Sequence, residues 1–315
     1  MGLGHVHHHG HSHDHIDRVD DALRDSAAGI RAVKISLMVL GVTAITQLVI
    51  VMVSGSVALL ADTVHNFSDA LTAVPLWIAF SLSRRGCTRR HTYGFGRAED
   101  LAGLFVVAVI AISAVVAAAE AVRRLVDPMP LAHLGWVAAA GVIGFIGNEL
   151  VALYRIRVGN RIGSAALRAD GMHARADGLT SLAVVLGAVG VAAGFPAADP
   201  IVGLLIAAAI VVVMVVAARD VFDRLLDGVD PALVDAAHDA LADQPGVESV
   251  RRIRMRWVGH RLIADAELDI DATLSLTAAH DIAHRAEHAL SHAVPKLGDV
   301  TVHAYPTHDV PATTS

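Results

Sequence analysis

Apolar residues run in six stretches long enough to cross a bilayer, and then the pattern changes to short, alternating segments. A helix needs about 20 predominantly apolar residues to span the hydrocarbon core. The stretches run from about Ile35 to Val53, Val57 to Leu82, Leu101 to Val122, Leu134 to Leu153, Ala165 to Ala193 and Ile201 to Ala218. Ser54-Gly55-Ser56 separates the first two, Pro128 and Pro130 break the chain after the third, and Gly194-Phe195-Pro196 turns it after the fifth. The pattern predicts an all-α, six-helix transmembrane bundle.

From Asp230 the chain reads as a water-exposed domain. Pro231 to Leu241 and Leu276 to Ala293 carry apolar residues at helical spacing. Gly246 to Trp257 and Leu262 to Ile270 alternate as strands around a Val258-Gly259-His260 turn, and Asp299 to Tyr305 reads as a third strand. The order αββαβ predicts a small α+β domain, ferredoxin- or metallochaperone-like, with its helices on one face of the sheet. The expected organisation is a disordered, histidine-rich tail over 1–28, a membrane domain over 29–226, the αββαβ domain over 227–306 and a loose tail over 307–315.

Composition agrees with a membrane bundle joined to a water-exposed domain. Hydrophobic residues make up 54%, the mean hydropathy is +0.54 and charged residues are only 18%, too apolar for an ordinary soluble chain. The single cysteine, Cys87, excludes a disulfide framework and any multi-cysteine metal site. The 19 histidines exceed what packing requires, and imidazole is a common ligand for borderline metals. Seven of them, His5, His7, His8, His9, His11, His13 and His15, crowd the N-terminus at irregular spacing, which argues for a natural metal-capturing tract over a purification tag. No cleavable signal is visible.

Loop charges predict the orientation. Arg84, Arg85, Arg89, Arg90 and Arg97 follow the second stretch, Arg155, Arg157, Arg161 and Arg168 the fourth, and Arg219 and Arg224 the sixth. The opposite side has Arg123 and Arg124. The positive-inside rule then places both termini in the cytoplasm of a multi-pass cell-membrane protein (inner or plasma membrane).

The candidate chemistry lies in a motif that occurs twice. Asp62, His65 and Asp69 in the second stretch match Asp170, His173 and Asp177 in the fifth, in the shared pattern A-D-x-x-H-x-x-x-D-x-L-T. Residues three and four apart share a helix face. Ionisable groups are costly in hydrocarbon, so these should point into the bundle and act there. The two stretches run in opposite directions, so His65, Asp69, His173 and Asp177 offer four ligands from crossed directions. Two imidazoles and two carboxylates suit tetrahedral Zn²⁺, whereas Mg²⁺ and Ca²⁺ favour all-oxygen cages. Two carboxylates offset the ion's charge; without metal, like charges and burial favour proton uptake. Metal and protons therefore compete for the same atoms, which is the physical basis of an antiporter. Asp62 and Asp170 lie two turns from Asp69 and Asp177, about 10 Å away at 1.5 Å per residue. Entrance and exit carboxylates, partners orienting His65 and His173, and helix-end residues facing water all remain open readings for them.

With these residues and spans in hand, the chain resembles the cation diffusion facilitator family of divalent-metal exporters. His91-Thr92-Tyr93-Gly94-Phe95-Gly96-Arg97-Ala98-Glu99 is similar to the family's signature between spans two and three. The resemblance implies that His65, Asp69, His173 and Asp177 form the transport site, that Zn²⁺ leaves the cytoplasm in exchange for protons, and that the protein is a homodimer. A histidine in the second span resembles the zinc-preferring subgroups. There are departures. In the loop site only His91 matches, with Phe95 where a second histidine would stand. In the cytoplasmic dinuclear site His280 and His303 match, but Arg251, Glu267 and Tyr305 occupy the other positions, and Arg251 repels cations. Zn²⁺ as a ligand of that domain stays open. His280, His284, His288 and His292 form a stripe that is either a metal-sensing or dimer-facing surface or a solvated face.

The expected partners are thus divalent metal, protons, the lipid bilayer and a second copy, with no nucleic acid and no enzymatic activity. The same mechanism with Cd²⁺, Co²⁺, Mn²⁺ or Fe²⁺ is the alternative. An intramembrane metalloenzyme would need H-E-x-x-H or several histidine boxes within the spans, and none is there. A metal sensor anchored by the bundle would not need buried His and Asp residues.

Overall fold

The apolar stretches form long helices wherever the computed structural model describes them, which is over residues 13–54, 73–126, 134–195 and 197–307. They are α1 (His13–Ser54), α2 (Ala73–Ser83), α3 (Arg97–Val126), α4 (Leu134–Ile162), α5 (Ala165–Ala192) and α6 (Ala198–Leu225). Among the described residues five helices, all but α2, are long and apolar enough to cross a membrane. The second expected span lies partly outside the described residues, and with it Asp62, His65 and Asp69. The tail histidines from His5 to His11 lie outside them too.

Two expectations change. Residues 13–28, expected as disordered tail, continue the first helix. The run from Asp17 to Ala28 holds no proline and is rich in helix formers such as Ala22, Leu23, Arg24, Ala27 and Ala28. Helix therefore propagates outward from the apolar part at little cost. The helices also overrun the apolar stretches. α4 continues from Leu153 to Ile162, so Arg155, expected in a loop, lies inside the helix. Arg168 likewise falls in the first turns of α5.

The chain divides into two compact units, one of them Asp25–Leu225. Within it α5 is the central helix. Ala174 packs with Leu40, Val151 and Ala152. Ala169 and Ala176 pack with Val106 and Ile110 of α3 and Ile210 and Ala217 of α6. Small residues make this possible, because close backbone approach is the main source of helix packing in lipid. A Cβ at Gly171 would lie 3.1 Å from the Ala152 carbonyl oxygen and 2.7 Å from Ile156 Cγ1, so only glycine lets α5 sit this near α4. A Cβ at Gly144 would meet Ser181 Oγ and Gln47 Nε2, each at 2.8 Å, where α1, α4 and α5 converge. The α4–α5 connection is short. Ser164 caps α5, its hydroxyl accepting from the Leu167 N–H at 3.1 Å.

The C-terminal unit has the predicted αββαβ order: α7 (Pro231–Ala242), β1 (Ser249–Val258), β2 (Arg261–Ile270), α8 (Leu276–Ala293) and β3 (Leu297–Pro306). The sheet order is β1-β2-β3, with β1 antiparallel and β3 parallel to β2. Gly259 takes the left-handed φ of 62° that the first position of this tight hairpin turn requires. Leu262, Ala264, Ala266 and Leu268 of β2 pack on Ala237 and Leu241 of α7 and on Ala283, Ala286 and Leu290 of α8. The helices therefore cover one face of the sheet. The alternating positions, including Arg252, Arg254, Asp265 and His303, lie on the other face.

Candidate metal centre

Copy two of the repeated motif forms one buried stripe on α5. Asp170 is 0%, His173 1% and Asp177 6% exposed, in the interior of a bundle whose outside faces lipid. Their spacing turns all three the same way, and the small neighbours Ala169, Gly171, Ala174, Ala176 and Gly178 bring other helices over them. His173 Nδ1 lies 3.6 Å from Asp177 Oδ1. That separation lets both ligate one ion without touching each other, and it supplies an imidazole nitrogen and a carboxylate oxygen together.

Asp170, expected as an entrance carboxylate or as a partner of His173, forms an ion pair with Arg155 of α4. Arg155 Nη1 lies 2.9 Å from Asp170 Oδ2, and both side chains are almost wholly buried. Among the described residues Arg155 is the largest fully buried side chain, and its Nε and Nη2 find no acceptor there. Sequence reasoning counted it as loop charge. The missed signal is its position within helical reach of an intramembrane aspartate, since a buried guanidinium needs a carboxylate.

Two further pairs tie α5 to its neighbours. Arg175, between His173 and Asp177 in sequence, donates two hydrogen bonds to Glu149 of α4 at 3.2 and 2.8 Å. Arg168 donates two to Asp220 of α6 at 2.8 and 2.6 Å. Such two-pronged guanidinium–carboxylate contacts fix orientation as well as distance. They set both the rotation of α5 and its height against α4 and α6, and hence the direction in which His173 and Asp177 point.

The accessory candidates are dispersed. His91 sits in the exposed turn before α3, its N–H donating to the Thr88 hydroxyl at 3.0 Å and its ring 4.6 Å from that of Phe95. In the C-terminal unit a register shift between Val250 and Arg252 makes Arg251 the extra residue of a bulge. Arg251 pairs with Asp269 at 2.6 Å and lies over the Tyr305 ring at 4.5 Å, next to His303. Glu267 pairs with Arg252. Guanidinium groups thus occupy the carboxylates around His303. The Asp269 carboxyl lies below the usual carboxylate range, chiefly because the Ser249 hydroxyl donates to it, with Arg251 adding to this against some desolvation. His280 is exposed on α8. No group of three or more His, Cys, Asp or Glu residues able to hold a metal is found among the described residues.

Comparison with known proteins places these features in a wider set. The family model described as the cation efflux transmembrane domain matches residues 33–226. The one described as the cation efflux protein cytoplasmic domain matches residues 229–307. A probable cation efflux system protein of Mycobacterium tuberculosis (strain H37Rv) is 69% identical over 293 residues, covering 93% of this chain and 88% of that protein. The cation-efflux pump FieF of Serratia proteamaculans is 29% identical, covering 82% of this chain and 86% of the relative. The manganese efflux system protein MneP of Bacillus subtilis is 26% identical, covering 81% and 88%.

Proposed function

The chain belongs to the cation diffusion facilitator family of cation efflux proteins, and from that premise we propose that it carries Zn²⁺ out of the cytoplasm in exchange for protons. It is a multi-pass membrane protein whose cargo class is the divalent metal cation. The four ligands are His65 and Asp69 of the second span with His173 and Asp177 of α5. The observation that carries this reading is the buried His173–Asp177 pair, aimed into the bundle by three ion pairs that involve neither residue. A loaded His₂Asp₂ site is electrically neutral, since two carboxylates balance a divalent ion. An emptied one favours protons, because two bare carboxylates repel each other in low dielectric. Metal in one direction and protons in the other follow from that alternation, with the helices rocking around a fixed midplane site.

Two imidazoles favour Zn²⁺ over Mn²⁺. The relative named for manganese keeps a second cargo in view, carried by the same exchange. The protein works as a homodimer through its C-terminal domain, whose sheet leaves one face uncovered by its own helices. Both termini face the cytoplasm, in keeping with the arginines that follow the second, fourth and sixth spans. Asp170, held by Arg155, supports the scaffold and does not ligate the metal.

The test is metal flux and internal pH measured together in vesicles of known protein orientation. A pH gradient, acid on the side that receives the metal, should drive Zn²⁺ uphill without ATP, with protons moving the other way. A protonophore should stop uphill movement and leave downhill exchange. Asp177→Ala should reduce flux to background while the protein still inserts. Uphill Zn²⁺ movement with no proton counterflow rejects antiport, and near-normal flux in Asp177→Ala rejects the ligand set.

A further inference from the structure

Helix α8 of the C-terminal unit carries His280, His284, His288 and His292 at four-residue spacing. Ile282, Ala283, Ala286 and Leu290 form its buried face. The histidines take the other side, with His280, His288 and His292 exposed and His284 half-buried. Packing does not require them.

The ring geometry separates the two pairs. An imidazole nitrogen binds a Zn²⁺-like ion at about 2.0–2.1 Å, which puts the ring centroid about 3.2 Å from the metal. Two such rings at ligand angles of about 90–110° then have centroids about 4.5–5.2 Å apart. The His288 and His292 centroids are 4.5 Å apart, with ring planes at 64°. Those of His280 and His284 are 6.4 Å apart and nearly parallel, at 12°. The first pair already has the centroid spacing of a chelating pair, and the second must bring its rings closer to reach it. His292 also lies in the last turn of α8, where the carbonyl end of the helix favours a cation.

We propose that His288 and His292 form a two-imidazole site for a borderline divalent transition metal, with water completing the coordination shell. Imidazole donors select Zn²⁺, Ni²⁺ or Cu²⁺ over Mg²⁺ and Ca²⁺. With only two protein ligands the ion exchanges readily. That suits a surface that responds to metal supply and does not suit a permanent structural centre. Neither residue belongs to the transport set, so the site stands or falls independently of the export reading.

The test compares the full chain, untagged and in detergent, with the double variants His288→Gln/His292→Gln and His280→Gln/His284→Gln, using Ni²⁺ in equilibrium dialysis as the probe. The N-terminal histidines and the transport residues contribute the same background to all three. The His288/His292 variant should lose one equivalent of Ni²⁺, and the His280/His284 variant should keep it. Circular dichroism confirms that the helix survives, which is expected because none of the four histidines belongs to the buried face of α8 and glutamine is a good helix former. An unchanged nickel count in the His288/His292 variant overturns the proposal, as does an equal loss in both variants.

Discussion

Removing one partner of the Arg155–Asp170 pair should damage this protein more than removing both. The pair spans α4 and α5 at 2.9 Å, and its side chains are 2% and 0% exposed. Taking away one member leaves a charge with no counter-ion where water does not reach. The typical cost of that is about 3–5 kcal/mol, whereas replacing both members with apolar residues of similar volume is often neutral. Soluble domains of comparable size shift by roughly 2–4 °C per kcal/mol, so Asp170→Asn or Arg155→Met should each lower the midpoint by roughly 6–20 °C. The double variant Arg155→Met/Asp170→Leu should return most of that loss. Thermal unfolding in one fixed detergent, followed through the bundle tryptophans Trp77 and Trp136, reads the midpoint. Zinc flux in vesicles supplies the second readout. The pair sums to no net charge and does not ligate the metal on our reading, so the folded double variant should still transport. A single variant that melts within about 2 °C of the parent, under half a kcal/mol to one by the same scaling, refutes the buried-pair argument. A double variant that is stable yet inactive would mean that Asp170 itself handles the cargo.

Replacing His65 with Asp adds charge and a harder ligand, so discrimination against Cd²⁺ and Mn²⁺ should relax; competition flux measurements check this, and unchanged ratios would place selectivity elsewhere. Deleting Met1 to His15 should leave the maximal rate intact and alter, at most, apparent affinity at low metal, since a histidine-rich N-terminus can capture ions without lining a midplane site; loss of all flux in a correctly inserted deletion would contradict it. The carboxyls of Asp269 and Asp271 are both held below the usual range, Asp269 chiefly by the Ser249 hydroxyl and Asp271 by the Thr273 N–H and then its hydroxyl. Their folded-state values lie below the unfolded ones, so what they contribute is complete above about pH 4, the unfolded carboxylate value, and is lost as pH falls through the folded values. In Asp269→Asn stability should fall at pH 7, where the contribution is complete, and fall less in acid, so that the acid limb of the stability curve flattens; an equal loss at pH 7 and pH 3 would show that packing, not ionisation, is at work.

The parts of the fold that were legible in the sequence are those governed by local periodicity. The apolar run from about Ala165 to the turn at Gly194 predicts α5 to within a residue of its observed bounds. The C-terminal αββαβ order followed from alternation and turn chemistry, down to the hairpin at Gly259. The miss came where charge and helix coexist. α4 was ended at Leu153 because arginines follow, and arginines were read as marking water. Hydropathy sees the cost of burying Arg155 but not the Asp170 carboxylate that bundle packing brings to it. That information is non-local, since Arg155 and Asp170 lie on different helices. The same limit applies to Arg168 and Arg175, whose partners Asp220 and Glu149 are set by packing. The motif itself was legible because its residues, unlike these, repeat.

The pairings suggest how one helix holds so many charges in a membrane and still keeps a reactive site. Asp170 and Glu149 are each matched to a guanidinium. Arginine stays charged at any accessible pH, and these pairs serve to hold α4 and α5 in register. The acidic group on the same stripe that faces an imidazole is Asp177, 3.6 Å from His173. Imidazole changes charge near neutrality and releases its proton when a metal binds. The stripe therefore separates two tasks by the identity of the partner. Fixed-charge pairs hold the helices, while on our reading the variable-charge pair gives up its imidazole proton to metal and supplies one of the two carboxylates that balance a divalent ion. An arginine in place of His173 would turn the second kind of pair into the first, and a scaffold made only of such pairs would hold a helix and carry nothing.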